Sequence, residues 1–248
     1  MSDEPFLRAG FDGILGLARP KIGARSINLV EALYKAGRFA KPTFSLYYAR
    51  GTDDLSPSKI LLGSDDTALF KGSLSHFGVP EDGRSPLGFW RLELQDIQLG
   101  SQSLNLCDQK RCFVYFDSGS EFLGASTALA NSLMKAIRLD TKCGNLQEMK
   151  LLSLRIGGQA YSLEPAEYIA QKRRTEDVVQ KDGSTKKEVS QHCAVELTSI
   201  NFGSDPDFNL VLGLPFLKKY YTHYVLSESA PNGTKRAAIG IALAKHKS

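Results

Sequence analysis

Phe113-Val114-Tyr115-Phe116-Asp117-Ser118-Gly119-Ser120 is the stretch that decides the fold. Its four leading apolar residues read as a buried strand. The tetrapeptide after them reads as a tight turn, because an Asp side chain bonds its own backbone and Gly tolerates positive φ. Asp-Ser-Gly by itself is a common turn tripeptide. Here Phe122-Leu123-Gly124 follows at once, so the Asp117 carboxylate is expected deep between buried segments, where it needs a use to offset the cost of burial.

Outward from that stretch, short runs at 43–48, 59–62, 89–94, 151–156, 194–197, 221–226 and 237–243 read as further strands bounded by Gly, Pro, Asp or Ser. Leu152-Ser153-Leu154-Arg155-Ile156 alternates apolar with polar, as half-buried sheet does, and Gly157-Gly158 reads as the turn of a hairpin returning through 160–163. Helices are few. Ser126 is positioned to cap a segment with Leu129, Leu133 and Ile137 on one face. Ser26 is positioned to open another with Leu29, Val30 and Leu33, closing near Gly37, and Pro215 suits the start of a third. The pattern predicts an all-β chain with small helices on its sheets. The hydrophilic stretch 171–191 predicts a mobile surface loop.

Composition excludes several classes. The 248 residues are 42% apolar and 23% charged, with a formal net charge of +4. Basic residues gather at 172–174 and 186–187, but Glu176, Asp177, Asp182 and Glu188 interrupt them, so a solvated face is expected and no nucleic-acid partner. No run approaches the ~18 apolar residues of a membrane span. Ser-Asp-Glu-Pro after Met1 has none of the character of a signal peptide.

An internal repeat gives the next clue. Ile14-Leu15-Gly16-Leu17-Ala18 matches Val211-Leu212-Gly213-Leu214-Pro215, each ahead of a helix-like segment. An apolar strand, Asp-Ser-Gly-Ser, a helix and a later apolar-apolar-Gly segment, in that order, resemble the active-site half of the pepsin and cathepsin D family. The likeness continues along the chain. Residues 11–18 resemble the end of that family's first lobe, and Leu61-Leu62-Gly63, Asp66 and Gly72-Ser73-Leu74 its crossover between lobes. Gly88-Phe89-Trp90 with Leu92 and Leu94, then Phe216-Leu217, Tyr220-Tyr221-Thr222, Gly240 and Ala242, resemble its later strands.

The resemblance implies a bilobal pepsin-like acid protease fold, with 1–75 as the remnant of an N-terminal lobe plus crossover and 76–248 as a C-terminal lobe. It implies an aspartic endopeptidase with Asp117 catalytic and Ser118, Gly119 and Ser120 supporting it. Ile14, Leu15, Gly16, Val211, Leu212 and Gly213 would be the strands threading beside the catalytic loops. Glu121 departs from the family's usual Ser and is a candidate cleft residue. Leu214 departs from its frequent Asp, removing a negative charge that would repel the catalytic carboxylates. Cys107 with Cys112 and Cys143 with Cys193 match the family's C-lobe disulfides. A zinc site is the alternative for these four cysteines, but their spacing is irregular and no His clusters with them. Disulfides imply the secretory pathway, outside the cell or in an acidic vesicle. Asn232-Gly233-Thr234 is a candidate glycosylation site.

Aspartic proteolysis needs two carboxylates, and the 248 residues hold a single Asp-Thr/Ser-Gly. The expectation is therefore a truncated chain whose partners are a peptide or protein substrate and the missing N-terminal lobe segment. The alternative is an inactive pepsin-like protein that binds peptides. A homodimer joining two copies of Asp117 is disfavoured by the first-lobe segments that would block its axis, so a monomer is expected. No metal or organic cofactor is implied.

Overall fold

Asn28 starts the first regular element by accepting the backbone N–H of Val30 (2.9 Å) and of Glu31 (3.2 Å). The computed structural model describes residues 13–19, 28–51, 54–80, 88–108, 110–179, 185–201, 207–229 and 235–247. Ser26, read above as the cap of this helix, lies outside them, and the observed cap is Asn28. Gly37, at φ +68°, follows the helix end as expected.

The first half of the described chain runs α1 (Leu29–Lys35), β1 (Thr43–Tyr47), β2 (Lys59–Leu62), β3 (Phe70–Gly78), β4 (Arg91–Leu94), β5 (Asp96–Leu99), β6 (Gln102–Ser103), β7 (Cys112–Phe116) and β8 (Leu123–Ser126). The second half runs α2 (Thr127–Ile137), β9 (Leu152–Ile156), β10 (Gln159–Leu163), α3 (Pro165–Tyr168), β11 (Ile169–Val179), β12 (Thr185–Val195), β13 (Leu197–Ile200), β14 (Phe208–Leu212), α4 (Leu214–Leu217), β15 (Tyr220–Ser229) and β16 (Lys235–Ala244). Strand dominates, as the sequence predicts. The expected hairpin turns at Gly157 and Gly158, whose φ of +54° and +80° few other residues tolerate.

Early and late strands share one sheet, in the order β2-β1-β15-β16-β3. Thr43 pairs with Val225 and Phe44 with Tyr224, so segments nearly two hundred residues apart are laced together. Alternation sends Phe44, Leu46, Tyr224, Ile239 and Ile241 into the main core, while Tyr47, Phe70, Tyr221 and Ala242 form a smaller cluster. A lobe boundary drawn at residue 75 passes through β3, which is bonded to β16.

A second five-stranded sheet, in the order β13-β8-β14-β7-β4, carries the Asp117 turn. β7 and β8 are consecutive in the chain yet do not pair. β14 runs between them, parallel to β7 and antiparallel to β8. As β14 leaves the sheet, Gly213 slides beneath the turn. A Cβ there would lie 2.1 Å from the Phe122 carbonyl oxygen and 2.4 Å from that of Ser120, so only Gly fits. Helix α2 backs this sheet with Leu129, Leu133 and Ile137 buried, as predicted.

Within the stretch 171–191, the described residues 171–179 and 185–191 are strand rather than irregular loop. β11 and β12 form a two-stranded ribbon paired from Ile169↔Val195 to Val179↔Thr185. Its polar composition misleads because the outer ribbon is exposed, at Lys172, Arg173 and Lys186 for instance, and has no core to fill. Strand character comes from the backbone ladder and from a well-packed base, where Ile169 and Cys193 are buried. Disulfides join Cys143 to Cys193 and Cys107 to Cys112, the pairs implied by the family resemblance.

Two outcomes are expected in chemical denaturation. Replacing Cys143 and Cys193 by Ala opens a loop spanning 50 residues and lowers stability by about 3–4 kcal/mol, whereas opening the Cys107–Cys112 loop costs about 2 kcal/mol. Equal losses would contradict the loop-length account. Gly213→Ala costs roughly 3 kcal/mol or more, since backbone carbonyls rather than flexible side chains must move. A change under ~0.5 kcal/mol would show that the crossing is loose.

Candidate active site

The turn after β7 is built from within. Its backbone is tied to the threaded strand by Asp117 N–H donating to the Leu212 carbonyl (3.2 Å) and Leu214 N–H donating to that of Ser120 (2.9 Å). Both carboxylate oxygens of Asp117 then receive a donor. Gly119 N–H donates to Oδ1 at 2.9 Å, and the Ser120 hydroxyl donates to Oδ2 at 2.6 Å. Such hydrogen bonds to a charged acceptor are short and fix its orientation.

The depth expected for Asp117 is not observed. Asp117, Ser118 and Gly119 are all exposed, because β7 ends at the sheet margin and the turn projects from it. They form one rim of a pocket of about 450 Å3 whose other walls include Phe44, Phe89, Trp90, Tyr115, Ile200 and Val211. Phe44 stacks on Tyr224 at 4.5 Å, and Trp90 meets both edge-on at 5.8 and 5.1 Å, giving the pocket a rigid aromatic floor. Tyr48 packs nearby. Its hydroxyl pKa is raised by burial first and by the Asp117 charge, with a hydrogen bond to Ser118 opposing both.

Residues 14–18 lie along the same pocket. They are irregular chain rather than strand, held by Trp90 Nε1 donating to the Leu17 carbonyl (2.8 Å) and Asn28 Nδ2 donating to that of Ala18 (2.6 Å). The structure thus brings Ile14, Leu15, Gly16 and Val211 together with Asp117, Ser118 and Gly119. Leu212 is buried below them, and Gly213 passes beneath Ser120.

Glu121 does not join this group. It lines a separate groove with Leu214, Pro215, Lys218 and Glu167, whose carboxylate meets Lys219 at 2.6 Å and Arg50 at 3.6 Å. Both departures from the family pattern, Glu121 and Leu214, therefore sit in one groove outside the Asp117 pocket. Asn232 lies outside the described residues. No cluster of three or more metal-ligating side chains occurs among the described residues.

Sequence reading missed Tyr48, Ile200 and the aromatic floor as site residues. Gly88-Phe89-Trp90 carried a family signal, but nothing local marks Phe44 or Ile200, which arrive by sheet pairing from distant segments.

Renin-2 of Mus musculus is 26% identical over 229 residues, covering 89% of this chain and 52% of the relative. Cathepsin D of Homo sapiens is 28% identical over 172 residues, covering 66% and 40%. Gastricsin of Mus musculus is 24% identical over 226 residues, covering 87% and 52%. The chain spans about half the length of the curated relatives it matches. The family profile described as eukaryotic aspartyl protease matches residues 1–230, and with the threaded Asp-Ser-Gly turn inside that span, this chain belongs to the eukaryotic aspartyl protease family.

Proposed function

We propose that this chain supplies one of the two carboxylates of a peptide-hydrolysing site, with Asp117 as that group. The observation that carries the reading is the pair of donors on Asp117, from Gly119 and Ser120, at the rim of an apolar pocket. In aspartic proteases generally, two carboxylates about 3 Å apart share one proton, because like charges so close do not both ionise. The ionised member takes a proton from water as the water attacks the peptide carbonyl. The protonated member donates to the carbonyl oxygen.

Asp117 is the sole Asp-Thr/Ser-Gly aspartate among these 248 residues, so its partner is delivered by a segment outside them, and the chain alone is expected to be inactive. Ser120 and Gly119 act as positioning groups that hold the carboxylate with one lone pair of each oxygen already engaged. The pocket beside it accepts an extended peptide through apolar side chains. Two disulfides support a life in an oxidising, secretory compartment. No helix among the described residues is long and apolar enough to cross a membrane.

The test is cleavage of a denatured globin at acidic pH by this chain assembled with a segment that carries a second Asp-Thr/Ser-Gly. Asp117→Asn is expected to reduce cleavage to background while leaving the thermal midpoint nearly unchanged. Ser120→Ala, losing one hydrogen bond to a charged group, is expected to lower kcat about tenfold with little change in KM. Full activity in Asp117→Asn would overturn the assignment.

A further inference from the structure

Away from the candidate site, His223 on β15 and His76 on β3 face each other across the strand between them. The pairing register puts His223 opposite Gly240 of β16, and Gly240 opposite His76. Gly240 leaves the space in which the two rings meet, since a Cβ there would lie 2.7 Å from His76 Nε2. His76 Nε2 and His223 Nδ1 are 3.0 Å apart, with the rings edge to face at 83°. One proton fits between nitrogens at that distance: one ring donates and the other accepts. Two imidazolium rings would set N–H against N–H.

We propose that the His76–His223 contact is an acid-sensitive fastener between edge strand β3 and the β15–β16 hairpin, closed while one ring is neutral and open when both are protonated. Among the described residues β3 lies at the end of its sheet and pairs only with β16, through a ladder already irregular between Ile241 and Leu243. An edge strand with one partner is the element most easily loosened. His76 is exposed and free to swing outward, uncovering Gly240.

Charges outside the pair face it from two places, ahead of β1 and after β2. Burial first, then the neighbouring His76, pushes His223 down to about 4, with Lys41 ahead of β1 adding to the effect and Asp65 from the turn after β2 opposing it. From β16 the pair meets Gly240, which has no side chain, and from β1 it meets the uncharged Ser45, whose hydroxyl donates to the Ser64 carbonyl. A folded pKa below the ordinary His value means the contact stabilises the fold fully above about pH 6.5 and is lost as pH falls through about 4. The fastener therefore opens within the acidic range.

The test uses the 248-residue chain, following His side-chain resonances and amide-exchange protection along 73–78 from pH 7.5 to 3.5. In the parent, His223 is expected to titrate near pH 4, and protection of β3, but not of β14, is expected to fall about tenfold as it does. His76→Ala is expected to raise the His223 midpoint by about one unit or more and to abolish the selective loss at β3. If His76→Ala does not fold, His76→Gln, which bonds without titrating, gives the same two readouts. A parent His223 midpoint near 6.5, or the same acid loss at β3 in the variant, overturns the proposal.

Discussion

The tight passage of β14 beneath the Asp117 turn is the constraint on which the rest of this molecule depends. Gly213 has backbone carbonyls of Ser120 and Phe122 where its side chain would stand, so the strand and the turn are locked at van der Waals distance. Hydrogen bonds on either side, from Asp117 to Leu212 and from Leu214 to Ser120, close the crossing. The turn cannot relax without unthreading the central strand of a five-stranded sheet. Donors from Gly119 and Ser120 therefore meet the carboxylate in one geometry, and the packed core below it maintains that geometry.

The sheet β2-β1-β15-β16-β3 does a different job: it brings walls of the pocket together from both ends of the chain. Phe44 enters from β1, Tyr224 from β15, and Trp90 from just before β4, so the aromatic floor exists only when early and late strands have paired. The late hairpin is in turn tethered at its end. Asp54, whose side chain is 2% exposed, accepts from the N–H groups of Ser56 (3.0 Å) and Arg50 (3.1 Å), and meets His246 Nδ1 at 2.6 Å just beyond β16. Burial raises its pKa, but those donors, with Lys247, outweigh burial and hold the carboxyl well below the usual range. A depressed carboxylate stabilises above its unfolded pKa and fails only as pH drops through its lowered folded value. This tether thus outlasts the His76–His223 contact as acidity rises.

Much of this was legible in the residues, and the failures have physical causes. The strand at 113–116, the turn at 157–158 and the buried face of α2 follow from local apolar period and glycine chemistry. The ribbon at 169–195 was misread because its outer residues are solvated and carry no period. Backbone pairing and a disulfide-anchored base decide its form instead. Asn28 caps α1, a position that the sequence reading, which placed the start at Ser26, does not single out. The pocket floor was invisible because register between strands far apart in sequence is a tertiary property. The depth of Asp117 was misjudged by counting its apolar neighbours in sequence without their direction: Phe116 and Leu123 point into the core, while Phe122 and the turn point out.

That exposure sharpens what the proposed chemistry requires. A shared proton between two carboxylates depends on their being close and poorly hydrated, since water screens the repulsion that pushes their pKa values apart. Around Asp117 the described surface is unusually apolar for an exposed one, with Ile14 78% exposed, Leu15 54% and Phe89 43%. These side chains flank the pocket that the carboxylate rims. A segment that covered them would gain from burying apolar area and would at the same time strip water from Asp117. The same contact would then bring the second carboxylate and create the low-dielectric setting in which it matters. On the proposed reading, assembly of the site and activation of its chemistry would be one event, because the contact that brings the second carboxylate would also exclude the water around the first.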